Sequence, residues 1–403
     1  MLNWDLAYDY AAIYLLLIII IWYFHEKRIP LASHRTFLVA LAAVFVSTGL
    51  EIVSTKLAQM SGTEGNAGFW VTSTLQHLAL NAIPLLFAYY VLQIVHINAK
   101  QMLHAKWMLA LCGVVDVAAL VTNPYTHWVY EAEGWQYTYD YGVLVLITVA
   151  IAAIVASSVV ALHRVNHTLF AKAMVVLFHM LLVVLAVFLQ LKTHVLLLNF
   201  VTATVCLTIY YYLQNPNAVI DTVTKQFNRR FFGEYLHTFF INEKPFGIVV
   251  VAMDDFKFIN KTYGVENGDN LLRQIGVFME TLPFAKTVFR LGADQFCIVL
   301  YKDLDQIDAV AQTVHERYSE NQAGIMMSAS ICCVNCPTDA SAYGQLVEVM
   351  DYSMSMAKRL QKGRITYAKD YDLGKIKQDK AFEKAVKQAL DRDELMVYYQ
   401  PIF

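Results

Sequence analysis

What most limits the folding of this chain is its supply of apolar runs, each about 18–22 residues long and so able to cross a bilayer core as one helix. Seven such runs are centred near Leu16, Val46, Leu85, Val114, Val149, Val183 and Val205, the last two close together. Hydrophobic residues make up 57% of the 403 and charged residues 16%, too apolar for an ordinary soluble protein. The imbalance is local. Charges are sparse from Met1 to Leu213 and return to normal density from Asn215 onward. The spacing predicts an all-α transmembrane bundle over 1–214 and a water-facing region after it. No basic stretch precedes the first run, so it reads as a retained helix and not a cleaved signal.

Lysine and arginine placement predicts the orientation. Lys27, Arg28 and Arg35 follow the first run, Lys100 and Lys106 the third, Arg164 and Lys172 the fifth. The alternate loops are neutral or acidic, with Glu131, Glu133 and Asp140 in one of them and Asp5 and Asp9 ahead of the first run; only the loop with Lys192 dissents. The N-terminus is therefore expected outside and everything after Asn215 in the cytoplasm. Glu51, His77, Asn81, Asp116 and His179 fall inside the runs. Ionisable groups there are expensive and face a bundle interior or a cavity. Two readings stand: a ligand- or proton-sensing pocket, or polar contacts between helices. The loop with Asn123, Pro124, His127, Trp128, Tyr139, Asp140, Tyr141 and Gly142 is equally open between a ligand site and an interfacial aromatic belt. The helix count, topology and Thr122–Gly142 loop of this half resemble the seven-helix sensor region found on some bacterial histidine kinases and cyclase-like proteins.

A net charge of −2 is uninformative about nucleic acid, but no basic stripe that would track a phosphate backbone is evident, and no nucleic-acid partner is expected. Of the six cysteines, Cys332, Cys333 and Cys336 invite a zinc reading, but a closed site needs four ligands and no fourth is evident. Reduced thiols in and after a buried strand are the simpler account.

The second half carries four motifs in order. Residues 221–230 read DTVTKQFNRR; 247–252 are a β-branched strand, GIVVVA; 253–269 read MDDFKFINKTYGVENGD; and 290–296 read RLGADQF. They are similar to the D-x-L-T-G-L-x-N-R-R opening, the D-x-D-x-F-K-x-I-N-D-x-x-G-H-x-x-G-D run and the R-x-G-G-D-E-F signature of the GGDEF, or diguanylate cyclase, family. The resemblance implies an α+β domain: a mostly antiparallel sheet, the signature on a hairpin turn, helices on both faces. A helix near Leu271–Met279, a strand-turn-strand over Arg290–Leu300 and a helix ending at Lys358 fit it.

In that family two GTP molecules meet across a homodimer, each 3′-hydroxyl attacking the other's α-phosphate, with magnesium neutralising phosphate charge. Hard magnesium needs carboxylate oxygens, supplied by an Asp at the end of the first strand and the Glu of the signature. Alignment of Asn260 and Asp269 on their family counterparts puts Ala252 at the Asp position and Gln295 at the Glu position. Both anionic ligands are gone. Asp254 shares a strand face with position 252, without restoring the pair. The signature here is Arg290, Gly292, Ala293, Asp294, Gln295 and Phe296, and Ala293 stands where a glycine with positive φ is expected, at roughly 1 kcal/mol. Pro283 and Lys286 occupy the positions of the family's R-x-x-D product-inhibition motif. Asn260 and Asp269 match its guanine-binding pair, and Lys358 with Lys362 or Arg364 can meet phosphate. The resemblance thus implies GTP as an effector and magnesium poorly held. The same residues also fit a fold role, as an Asn in a turn and an Asp near a helix start.

After a charged helical run over Lys377–Leu390, Asp393–Phe403 (DELMVYYQPIF) resembles the first strand of an EAL phosphodiesterase domain, with which such a protein would hydrolyse cyclic di-GMP. The expected organisation is a transmembrane sensor (1–214), a degenerate GGDEF domain (215–370) and a connector with an EAL-like strand (371–403). The expected function is a membrane sensor of cyclic di-GMP signalling, dimerising through the GGDEF-like domain. The rivals are an active diguanylate cyclase and a non-enzymatic membrane scaffold.

Overall fold

In the computed structural model the described residues are 5–62, 66–94, 99–133, 136–139, 178, 181–190, 192, 195–284, 286–319, 328–360, 362–370, 373–392, 394, 396 and 398–399. The chain divides into two compact units, Met1–Ala218 and Val219–Phe403.

The first unit begins with α1 (Ala7–His25), α2 (Ala32–Ser61), α3 (Ala67–Ile94) and α4 (Ala99–Thr126), each long and apolar enough to cross a membrane. A short hairpin, β1 (Tyr130–Glu133) and β2 (Gln136–Tyr139), follows, then α5 (Leu181–Gln190) and α6 (Leu198–Leu213). Leu16 and Ile19 of α1, Phe37 and Leu41 of α2, Phe87 and Tyr90 of α3 and Ile209 of α6 share one buried core. Large apolar side chains such as Tyr14, Ile21, Trp107 and Leu111 face outward, a surface that lipid and not water would cover.

Among the described residues, four helices and not seven are long enough to span. The run at Val149 lies outside the described residues. The runs at Val183 and Val205 hold α5 and α6; α6, at 16 residues, is shorter than expected. Gln190 Oε1 accepts from the backbone N–H groups of Leu197 (3.2 Å) and Leu198 (3.0 Å), satisfying the start of α6. The aromatic loop is also more ordered than its sequence implies. Asn123, still in α4, accepts from the N–H of Val129 at 2.7 Å, and the chain turns into the β1–β2 hairpin.

The second unit is built on a six-stranded mixed sheet, ordered β3 (Phe227–Asn228), β5 (Lys286–Arg290), β6 (Gln295–Leu300), β4 (Phe246–Met253), β7 (Ala329–Cys336), β8 (Ile365–Tyr367). The two outer pairings, β3–β5 and β7–β8, are parallel and the inner ones antiparallel. Central β4 is buried on both faces, as its unbroken apolar run requires. Val249, Val251 and Met253 face α8 (Phe256–Tyr263), α9 (Val265–Thr281) and α10 (Ile307–Ser319), meeting Leu272, Ile275 and Val310. Phe246 points the other way, onto Phe239 and Phe240 of α7 (Arg229–Ile241). Two-residue alternation puts Ile248, Val250 and Ala252 on that same face. Asn228 caps α7 through a 3.0 Å bond from the N–H of Phe231.

The helix ending near Lys358 is α11 (Tyr343–Leu360), and the charged run is α12 (Leu373–Asp391). Beyond it the expected EAL-type strand does not form among the described residues; Met396, Tyr398 and Tyr399 are exposed. A lone strand has no neighbour to complete its ladder.

Candidate functional site

Strands β4 and β6 run antiparallel with Ala252 directly opposite Gln295. Residues so paired lie about 5 Å apart, so the two positions that should carry carboxylates are cross-strand neighbours. Ala252 is buried and Gln295 half-buried. The signature turn between β5 and β6 is held by one side chain. Arg290 donates to Asp221 Oδ1 (2.8 Å) and to the carbonyls of Gly292 (3.1 Å) and Ala293 (2.9 Å). Thr224 adds its N–H and hydroxyl to the same Asp221 oxygen, each at 2.9 Å. The first and fourth motifs are therefore two halves of one clamp. Burial would raise the Asp221 carboxyl, but its bonds from Arg290 and Thr224 outweigh that and hold it below the ordinary value.

Neither Gly292 nor Ala293 has positive φ. The strain expected from Ala293 is absent, because this turn stays in conformations open to any residue.

The remaining carboxylates are committed elsewhere. Asp254, although on the face of position 252, accepts from Ser328 Oγ (2.7 Å), Ser330 Oγ (2.8 Å) and the N–H of Gly363 (2.9 Å). It pins β4 to β7 and to the turn before β8. Asp294 accepts from Lys358 Nζ at 3.2 Å. Among the described residues no group of three or more His, Cys, Asp or Glu could hold a metal ion. An alanine, an amide and two engaged carboxylates do not fit magnesium.

The base-binding candidates fare better. Asn260 lies on α8 and Asp269 on α9. The amide oxygen of Asn260 is buried with no hydrogen-bond partner. It packs against Gly268, where a Cβ would land 1.8 Å from that oxygen. A side chain at 268 would therefore push the Asn260 amide out of its present place, a link the motif position alone does not reveal. Half-buried Asp269 follows it immediately. An amide and a carboxylate together offer the donor and acceptors that complement a guanine edge.

The phosphate candidates divide. Lys358 is tied to Asp294, and Lys362 Nζ donates to Asp255 at 2.7 Å, a bond that raises its pKa. Arg364 is exposed and uses its backbone carbonyl to accept from Ile331. Asp255 sits at the start of α8 with φ of 53°, an uncommon conformation for a residue other than glycine. At the family's product-inhibition position, Lys286 donates to the carbonyls of Glu280 (3.0 Å) and Leu282 at the end of α9. Burial lowers its pKa. It serves as a helix C-terminal cap.

The cysteines follow the simpler account. Cys332, Cys333 and Cys336 are buried free thiols in β7, and burial pushes Cys332 and Cys336 up to about 12.

Of the polar residues in the apolar runs, His77 bonds the Ser73 carbonyl through Nδ1 (2.8 Å), within α3. Asp116 is buried and Asn81 half-buried; His179 lies outside the described residues. Glu51 accepts from the amide of Asn199 on α6, which also donates to Asp9 of α1 at 3.1 Å; the sequence pattern singles out neither Asn199 nor Asp9 for this cluster.

Residues 218–364 match the family model "Diguanylate cyclase, GGDEF domain". The diguanylate cyclase DosC of Escherichia coli (strain K12) is 30% identical over 164 residues, 36% of this chain and 34% of that protein. The cyclic di-GMP phosphodiesterase NbdA of Pseudomonas aeruginosa is 24% identical over 192 residues, 45% of this chain and 24% of that protein. The chain thus spans about a third or less of the length of these relatives. A solved structure of a microbial GGDEF domain interacting with cyclic di-GMP is 21% identical, covering 38% of this chain and 99% of that one, with a TM-score of 0.34. Four long apolar helices are therefore followed by a GGDEF domain, the domain of proteins that act in cyclic di-GMP signalling.

Proposed function

We propose that the chain is a membrane receptor in cyclic di-GMP signalling whose GGDEF domain takes up guanine nucleotide without condensing it. The observation that carries this is the cross-strand pair of Ala252 and Gln295. Forming cyclic di-GMP brings two triphosphates together, and without divalent charge their repulsion and the poor leaving group stand unrelieved. Replacing both carboxylates by neutral groups removes the metal's grip and two negative charges from the same spot. A triphosphate would then rely on Lys358, Lys362 and Arg364, the first two exchanging their aspartate partners for phosphate. Asn260 and Asp269 would read the base.

In this account the helices lie in the bacterial inner membrane with the N-terminus outside, following the lysine and arginine distribution. The domain works as a homodimer and passes its nucleotide state to an EAL-type phosphodiesterase. Such control requires different affinities of GTP for two conformations.

Equilibrium titration of the purified chain with GTP, with and without EDTA, tests the reading. Saturable binding that survives EDTA and is lost in Asn260→Ala and Asp269→Ala supports the receptor. Absence of binding favours a scaffold that only dimerises or recruits.

A further inference from the structure

The polar contact between helices of the first unit has the chemistry of a cation site. Asn199 of α6 donates through one amide nitrogen to Asp9 Oδ1 of α1 at 3.1 Å and to Glu51 Oε2 of α2. Two carboxylates bound to one nitrogen lie no more than about 6 Å apart, two hydrogen-bond lengths. Asp9 is 0% exposed and Asn199 1%. Two like charges that close in an apolar bundle repel strongly, and such a pair keeps a single negative charge unless positive charge joins it.

Three buried oxygens lack a hydrogen-bond partner. Asp9 Oδ2 and Asn199 Oδ1 are buried and have no hydrogen-bond partner. Both are acceptors when the carboxylate is ionised, so only a cation or a donor satisfies them. The third is Ser47 Oγ, on a side chain 0% exposed and equally unpartnered. Ser47 precedes Glu51 by four residues on α2, so the two share a helix face. Helical side chains lean toward the N-terminus, which carries Glu51 back over the turn of Ser47. Among the described residues the surroundings offer no compensating base. Lys56 on α2 lies 5.7 Å above the ring of Tyr10. His25 of α1 and His34 and Arg35 of α2 stand at the opposite helix ends, roughly 25 Å away at 1.5 Å per residue. His77 of α3 is bound to Ser73, and α6 has no charged residue.

The geometry points to a monovalent cation, sodium or a proton, held by Asp9, Glu51, Asn199 and Ser47 at the junction of α1, α2 and α6. Hard cations take carboxylate, amide and hydroxyl oxygens of this kind, and intramembrane carboxylates characteristically mark ion sites. Occupancy would tighten α6 against α1 and α2. The inference is independent of the nucleotide site.

All six tryptophans (Trp4, Trp22, Trp70, Trp107, Trp128 and Trp135) lie before residue 218, so tryptophan fluorescence follows this unit within the full chain. Thermal unfolding of detergent-solubilised protein would be recorded in sodium chloride against choline chloride at equal ionic strength, and from pH 5 to 8 in choline. A sodium-dependent rise of about 3 °C or more identifies sodium; a midpoint that shifts with pH alone identifies the proton. Either response should vanish in Glu51→Gln and Asp9→Asn and weaken in Ser47→Ala, which removes one hydroxyl and leaves both carboxylates. Wild-type protein indifferent to both ions overturns the site, as does a response undiminished in all three variants; the contact is then a polar joint between helices. If the carboxylate variants do not fold, the wild-type and Ser47→Ala comparison decides.

Discussion

In the helical unit two carboxylates, Asp9 and Glu51, stand where an apolar bundle makes charge expensive; in the GGDEF domain an alanine and an amide stand where a family of enzymes places carboxylates. Each departs from what its surroundings favour. Keeping buried acids among membrane helices means tolerating a desolvation penalty, which points to a use for the charge. An alanine and an amide at the positions where the resemblance implies metal ligands relieve a penalty, because carboxylates paired across a sheet repel until a cation joins them. Burial therefore has opposite meanings in the two regions. Charge is conspicuous where it persists in one and where it is missing in the other.

Putting charge back is the strongest way to break that contrast. Ala252→Asp places a carboxylate at a position 1% exposed and should destabilise the domain by about 3 kcal/mol, the scale for an uncompensated buried charge. Hydrogen exchange of β4 in the full chain reads the loss. Adding Gln295→Glu should worsen it without metal and reverse it with magnesium and GTP; a double variant indifferent to magnesium would show that the site needs more than two carboxylates.

Removing a structural carboxylate comes next. Asp254→Ala strands the hydroxyls of Ser328 and Ser330 and the N–H of Gly363 and should cost about 2 kcal/mol. GTP affinity should stay within a few-fold of wild type; a large loss of affinity with intact folding would place Asp254 in the site after all.

Arg290→Ala should cost about 1–2 kcal/mol by opening the clamp on the signature turn. It also alters the acid limb. The Asp221 carboxyl is depressed in the folded protein, so its contribution is present above the unfolded value near 4 and lost as pH falls through the lower folded value. Stability against pH below about 4 should be flatter in the variant; an unchanged acid limb would mean that Asp221 owes nothing to Arg290.

The smallest effect is expected of Ala293→Gly. With φ not positive, the added freedom only loosens the unfolded chain, lowering stability by less than about 1 kcal/mol. A gain in stability would indicate a strained alanine.

Much of this contrast is legible in the residues. The run from Gly247 to Ala252 announces a buried strand, and counting back eight positions from Asn260 locates the missing aspartate. What escapes is whatever depends on partners far along the chain. Asp254 looks available until Ser328 and Gly363, 74 and 109 residues away, claim its oxygens. Asp9 reads as a loop residue because charges ahead of an apolar run mark its edge, yet the helix has begun at Ala7. Asn199 gives no signal within its run, because its importance lies in what α1 and α2 bring to it. Span counting overshoots for α6 because hydropathy registers apolar length, not the contact by which Gln190 satisfies its first N–H groups.

The central claim is that the loss of anionic oxygens at positions 252 and 295 silences the condensation. Incubating the purified full chain with GTP and magnesium, and separating the products chromatographically, tests it most directly. The account predicts no cyclic di-GMP above a protein-free control while GTP still binds. Steady accumulation of cyclic di-GMP by the unaltered chain would contradict it.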